Sequence, residues 1–338
     1  MVAPSIEPTV AALLAPGKGI LAADESLPTI RKRFTAVGIE STGESRRSYR
    51  TMLFTAPGLS EFISGVILFE ETMGQRIGDD TAPAALARMP IVPGIKVDKG
   101  TAALPNCDGE RYTMGLDGLR ERLAAYRDLG ARFTKWRAVF AVGDRLPSLA
   151  CISANARSLA LFAALSQEAG LVPIVEPEVL MDGDHTLANC EEATGAVLKS
   201  VFSALREQRV ALELMLLKTG MALPGGDCAQ QATVKEIAQA TLRCLHLSVP
   251  ASVPGIVFLS GGQAEVEATE RLNAICTTGG PWRLSFSFGR ALQSSAMKAW
   301  KGITANARAA QSTLLHRAMC NGLALQGKYT QAAEGGVE

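Results

Sequence analysis

Two runs, FTKWRAV (Phe133–Val139) and VPIVEPE (Val172–Glu178), decide how this chain folds. Both are short and bounded like strands, and each carries like charges two residues apart: Lys135 with Arg137, and Glu176 with Glu178. Alternate residues of a strand share a face, so each pair points to one side of an otherwise apolar element. Six more runs read as strands: Gly19–Ala23 (GILAA), Ile63–Phe69 (ISGVILF), Ile91–Val97 (IVPGIKV), Leu212–Lys218 (LELMLLK), Gly255–Ser260 (GIVFLS) and Leu284–Phe288 (LSFSF). Helical patterns lie between them at Gly115–Leu129, Arg157–Gly170, Asn189–Arg206 and Val234–Leu247, and a long helical tail runs from Ala291 to about Gln326. Eight strands alternating with helices predict an α/β fold, a single (β/α)8 barrel. The rival, an open doubly wound sheet, needs a Gly-rich turn after its first strand, and Ala22-Ala-Asp-Glu-Ser is not one. No linker divides residues 1–338, so one domain is expected. Gly78–Pro83 and Leu223–Asp227 read as surface loops, and residues 330–338 as a frayed end.

Composition narrows the function. With 34 Lys+Arg against 33 Asp+Glu the formal net charge is +1, which lacks the basic excess that nucleic-acid binding normally needs. At 47% hydrophobic residues the chain can fill a large core, unlike a solvating disordered segment. No stretch reaches the roughly 18 uninterrupted apolar residues of a membrane span, and the N-terminus lacks a secretory pattern. A cytoplasmic protein with neither nucleic acid nor membrane as partner is the expectation. The seven cysteines are scattered without C-x-x-C, which favours reduced packing thiols over disulfides or zinc. His185, His246 and His316 are too far apart in sequence to pair on a metal, so no catalytic metal is expected.

Charge at the ends of apolar strands is the informative feature. Asp24 ends the first strand, Lys96 lies in the third, Lys135 and Arg137 in the fourth, Glu176 and Glu178 in the fifth, and Lys218 closes the sixth. Any one of these is ordinarily a core ion pair or a surface group. Five strands ending in ionisable residues of both signs, each costly to bury unpaired, point to an active site at the mouth where C-terminal strand ends converge. Lys218 follows Leu216-Leu217 and is expected to emerge from an apolar wall. A lysine at its ordinary pKa of about 10.4 is a poor nucleophile at neutral pH; desolvation and neighbouring cations turn such an amine into a Schiff-base former. Glu176 and Glu178 are then candidates for proton transfer. Residue types alone do not single out the lysine. Ser260-Gly261-Gly262 after the seventh strand, and Ser287 with Gly289-Arg290 after the eighth, occupy the loops where a barrel usually grips phosphate. Ser26, Thr29, Arg31, Lys32 and Arg33 form a second hydroxyl-and-basic cluster, readable equally as a solvated helix end.

Taken with GKGILAADES (Gly17–Ser26), GVILFEET (Gly65–Thr72), GIKVDKG (Gly94–Gly100), KWR (Lys135–Arg137), VEPEVLMDGDH (Val175–His185), LLK (Leu216–Lys218), FLSGGQ (Phe258–Gln263) and FGRALQ (Phe288–Gln293), the chain resembles class I fructose-bisphosphate aldolase from about Ala15 to Tyr329. The resemblance implies a glycolytic lyase that cleaves fructose 1,6-bisphosphate to dihydroxyacetone phosphate and glyceraldehyde 3-phosphate without a metal or other cofactor. It implies Lys218 as the Schiff-base lysine and Glu176 as its acid/base, with Lys135 electrostatically between them. Glu178 would orient the lysines, and Asp24 would lie near the hydroxyl whose deprotonation breaks the carbon–carbon bond. Ser260, Gly261, Gly262, Ser287, Gly289 and Arg290 would bind the ketose-side phosphate, Arg33, Thr29 and Lys96 would contact the other end, and Arg137 would belong to the substrate-binding set. A homotetramer is usual in the family.

Two departures stand out. Thr219-Gly220-Met221 follows the lysine where the family commonly has Pro-Asn-Met or Pro-Ser-Met, so that loop is expected to close differently. Many members carry a further mobile tail ending in a proton-shuttling tyrosine, whereas the last tyrosine here is Tyr329. The expectation is that cleavage persists while enamine protonation is slow. Two alternatives stay open: another Schiff-base aldolase or a transaldolase on the same barrel, and a non-catalytic scaffold of the kind that binds cytoskeletal or membrane-pump proteins.

Overall fold

The computed structural model describes residues 6–335. Eight parallel strands close into one barrel: β1 (Gly19–Ala23), β2 (Ile63–Leu68), β3 (Val92–Lys96), β4 (Phe133–Phe140), β5 (Val172–Val179), β6 (Leu216–Thr219), β7 (Gly255–Phe258) and β8 (Arg283–Phe288), with β8 pairing back onto β1. A parallel neighbour requires a crossover, and the amphipathic helices between strands supply it while covering the outer face.

Strand alternation separates two cores. Outward residues such as Trp136, Phe140, Phe258, Phe286 and Phe288 pack beneath the helices, where Trp136 stacks on Phe162 of the helix Leu149–Glu168 at 5.6 Å. That helix has the length and apolar composition of a membrane span, and half of it is buried inside the fold. Inward residues Ile20, Ile67, Phe133, Val172, Ile174, Leu216 and Val257 fill the N-terminal half of the barrel. The helix Glu7–Leu13 plugs that end with Val10 and Leu13, joined by Ile6 and Leu14 from its flanks. Space for this plug comes from inward glycines: a Cβ on Gly94 would lie 2.3 Å from the Phe133 ring, and one on Gly255 2.3 Å from Leu14. Apolar packing thus closes the bottom of the barrel and leaves the charged residues of β3 to β6 at the top.

Several sequence expectations need correction. Leu212–Lys218 is not one strand: Leu212–Leu214 forms a 3-10 turn, and pairing begins at Leu216, opposite Ile174. The helical tail breaks at Lys301 and Gly302, both with left-handed backbone (φ 51° and 74°), giving helices Arg290–Trp300 and Ala307–Leu325. The helix expected at Gly115 begins at Leu119, after Gly118 at φ 62°; the one expected at Arg157 begins at Leu149, because the Ser148 side chain caps the Cys151 N–H at 3.2 Å. Within Gly78–Pro83, Asp80–Thr81 pairs back on Arg76–Ile77 as a small hairpin, and a helix starts at Ala82. Of the segment read as frayed, Gln331–Gly335 forms a 3-10 turn, whose Glu334 accepts from Tyr329 Oη at 2.6 Å and pairs with Arg317. Residues 336–338 lie outside the described residues.

Candidate active site

Lys135, Glu176 and Lys218 project from three successive strands into the top of the barrel, and Asp24 follows the end of β1. Lys218 Nζ lies 3.0 Å from Glu176 Oε1. The other oxygen of Glu176 is 3.1 Å from Lys135 Nζ, which sits 2.7 Å from Asp24 Oδ2. Four charges of alternating sign therefore form one continuous row, and Lys135, Glu176 and Lys218 each expose 4% or less of their surface. Burial alone would push the two carboxyls up, but Lys135 and then Lys218 outweigh it and hold Asp24 and Glu176 below the ordinary carboxylate range. Burial would likewise pull Lys135 down. Asp24 and Glu176 hold it above its ordinary value, so it is a fixed cation.

A second group borders this row. Lys96 stands in register with Lys135 and pairs with Asp98 at 2.7 Å. Asp98 also accepts from the N–H groups of Gly100 (3.1 Å) and Arg137 (3.3 Å), so it braces the β3–β4 rim. Half-exposed Arg137 pairs with Glu178. Glu178, expected to orient the lysines, is placed beside Arg137. One pleat beyond Glu176, it stands opposite Val139 and holds Arg137, while Glu176 alone bridges the lysines.

Cations and free donors gather across the mouth. Gly261 and Gly262 adopt left-handed backbone (φ 52° and 103°), and a Cβ on Gly262 would press on the Arg290 guanidinium at 3.3 Å. The helix Arg290–Trp300 starts directly after Gly289, with no side chain capping its first N–H groups among the described residues. Ser287 Oγ is buried and has no hydrogen-bond partner among the described residues. Ser260, in the loop after β7, is buried as well. Burial, followed by the like charge of Arg33, pushes Arg290 below the ordinary arginine value. No carboxylate pairs with Arg290 among the described residues. Two adjacent guanidiniums, a helix start and an unpaired hydroxyl form a site built for an anion.

Arg33 was expected at the opposite end of the substrate. Its guanidinium reaches the start of the helix that carries Arg290: its Nη2 would lie 3.9 Å from a Cβ on Gly289. Thr29 remains exposed and shares a hydrogen bond with Ser26 at 3.0 Å.

Sequence reading missed Glu25, Arg50 and Asp98. Buried Glu25 holds Arg33 at 2.6 Å and Arg50 at 2.8 Å, and Arg50 also donates to the carbonyl of Ala23 at 2.9 Å. One carboxylate thereby fixes both Arg33 and, through Arg50, the strand end that carries Asp24. Asp98 had a usable signal, since it lies two residues from Lys96 and shares its face. Arg50 had one as well, an arginine set among Tyr49, Leu53 and Phe54 on a buried helix face.

Comparisons with known proteins point to one family. The family model "Fructose-bisphosphate aldolase class-I" matches residues 5–338. A probable fructose-bisphosphate aldolase class 1 from Xanthomonas campestris is 54% identical across 95% of this chain and 97% of its own length. Human fructose-bisphosphate aldolase C is 50% identical across 96% of this chain and 90% of its own. A solved fructose-bisphosphate aldolase from Plasmodium falciparum superposes with a TM-score of 0.94 at 46% identity, covering 96% of this chain and 95% of that one. With this barrel, this buried lysine and that coverage, the chain belongs to the class I fructose-bisphosphate aldolase family.

Proposed function

We propose that Lys218 is the residue on which the aldol cleavage of fructose 1,6-bisphosphate runs. The protein is a lyase of the Schiff-base class, and the observation that carries the assignment is the buried row Lys218–Glu176–Lys135–Asp24. Glu176, 3.0 Å away, accepts a proton from the Lys218 ammonium, and the free amine adds to the substrate C2 carbonyl. Glu176 then returns the proton to the carbinolamine hydroxyl, which leaves as water and gives a protonated imine. Asp24 takes the proton of the C4 hydroxyl. The C3–C4 bond breaks as C4 becomes the aldehyde of glyceraldehyde 3-phosphate, and its electron pair enters the imine to form an enamine. Protonation at C3 and hydrolysis release dihydroxyacetone phosphate and restore the lysine. Lys135 is the fixed cation that keeps both carboxylates ionised.

For the two phosphates we assign Ser260, Gly261, Gly262, Ser287, Gly289 and Arg290, with Arg33 beside them, to one group, and Lys96 with Arg137 to the opposite rim. Glu25, Glu178 and Asp98 are positioning residues. We read the whole chain as one catalytic domain working as a cytoplasmic homotetramer, a state that light scattering on the purified protein reads directly. Borohydride reduction in the presence of dihydroxyacetone phosphate tests the central claim. A peptide carrying the reduced adduct at Lys218 is expected, and an adduct on another lysine or none at all would refute it. Comparing cleavage of fructose 1,6-bisphosphate with fructose 1-phosphate separates this reading from other Schiff-base aldolases.

A further inference from the structure

On the outer helix layer, outside the row of charges already described, three side chains with different donor atoms converge. His316 and Cys320 lie one turn apart on the helix Ala307–Leu325, and Glu334 returns to them from the 3-10 turn Gln331–Gly335. Their ligand atoms all lie within 4.8 Å of one another. We propose that His316, Cys320 and Glu334 form a structural binding site for a zinc-like divalent cation, which would clamp residues 331–335 onto this helix.

Four observations support the assignment. The donor set is nitrogen, sulfur and carboxylate oxygen, the combination that suits zinc rather than magnesium or calcium. Zn–S bonds of about 2.3 Å and Zn–N bonds of about 2.0 Å at a tetrahedral angle separate the two donors by about 3.5 Å. His316 Nε2 and Cys320 Sγ are 3.7 Å apart, so this edge of the tetrahedron is already set. Glu334 is held by Arg317 on one oxygen and by Tyr329 Oη on the other at 2.6 Å, while Arg317 also donates to the Glu265 carbonyl at 3.3 Å. A carboxylate offers about four lone-pair directions, so these bonds orient it without exhausting it. Finally, Cys320 is buried while His316 is half-buried, which gives the ion a route in from solvent. The fourth position falls to water or to the Ala333 carbonyl, 3.6 Å from the sulfur. On binding, the thiol releases its proton to solvent and the sulfur binds as thiolate, with neutral imidazole and ionised carboxylate beside it. Scanning for histidine pairs overlooks the site, because its helical pair is His-x-x-x-Cys.

Cobalt(II) replaces zinc in such sites and makes the thiolate bond visible. The full-length protein, stripped with chelator, is titrated with cobalt chloride and then with zinc chloride. One equivalent of cobalt is expected to produce a thiolate-to-metal charge-transfer absorption that zinc abolishes. Cys320→Ser should remove that absorption. His316→Gln, at a half-buried position that tolerates change, should weaken binding by about tenfold or more. Cys228→Ser, on a distant loop, should leave the titration unchanged. Fructose 1,6-bisphosphate cleavage should be the same in stripped protein, loaded protein and His316→Gln. The proposal is overturned if no equivalent of metal binds, if the absorption survives in Cys320→Ser, or if His316→Gln binds as tightly as the unmodified chain. If Cys320→Ser does not fold, His316→Gln decides alone.

Discussion

Replacing Lys135 with methionine keeps an unbranched stem of similar size and deletes one charge. Its ammonium lies between Asp24 Oδ2 at 2.7 Å and Glu176 Oε2 at 3.1 Å, and side-chain exposure is 4% for the lysine, 12% for Asp24 and 4% for Glu176. Removing one member of a buried ion pair costs about 3–5 kcal/mol, because its partner stays charged and dry. At about 1.36 kcal/mol per pKa unit, that penalty is equivalent to roughly 2–4 units spread over the two carboxyls. In the unmodified chain both carboxyls lie below their ordinary values. In the variant the pair should hold one shared proton up toward neutral pH, which blocks either acceptance of the C4 hydroxyl proton or service to Lys218. The rate of cleavage should fall by about 10²–10⁴, the usual worth of acid–base assistance. It should also recover partly as pH is raised, whereas the unmodified enzyme should show no such acid limb near neutrality. Initial rates of triose phosphate release over a pH series measure this, with circular dichroism confirming the fold. A rate loss of the same size at every pH would refute the reasoning, since Lys135 would then be acting other than by keeping the carboxylates ionised.

Acid stability should follow the same groups. Asp24 and Glu176 have folded pKa values below 3.8 and 4.5, so each adds stability above those values that is lost as pH falls through the folded ones; in urea titrations at successive acid pH values, Asp24→Asn should flatten the dependence. Gly94→Ala would drive a methyl into the Phe133 ring and should cost about 1–3 kcal/mol, read as a lower Tm, and Gly94→Ala with Phe133→Leu should recover part of it. Glu25→Gln breaks a buried pair with Arg50, which should lower the unfolding free energy by about 3 kcal/mol, and in the folded enzyme it should raise KM more than it lowers kcat because Arg33 loses its anchor. Unchanged KM in that variant would show that Arg33 does not engage substrate.

The barrel was legible because its strands are short apolar runs at regular spacing, and the inward charges were legible because a strand repeats every two residues. That period put Lys135 with Arg137 and Glu176 with Glu178 on common faces. It could not say which partner each would find. Glu178 pairs with Arg137 because the register sets it opposite Val139, one pleat above the level of Lys218. Glu25 was hidden for a related reason: adjacent to Asp24, it points the other way, and its role depends on an arginine from a different helix. The 3-10 turn at Leu212–Leu214 escaped because LELMLLK carries a strand's composition throughout. The break at Lys301-Gly302 lies where a single glycine in a helical pattern gives only a weak warning.

The row Asp24–Lys135–Glu176–Lys218 contains two negative and two positive groups, so it is neutral as a whole. Moving a proton from Lys218 to Glu176 leaves that sum at zero. In the mechanism proposed for Lys218, the protonated imine would carry the same single positive charge as the lysine it replaces. The covalent intermediate is therefore electrically equivalent to the resting site, and the surrounding dipoles and phosphates have little to reorganise as the bond forms. What changes during turnover is which atom holds the proton, while the net charge of the row stays at zero.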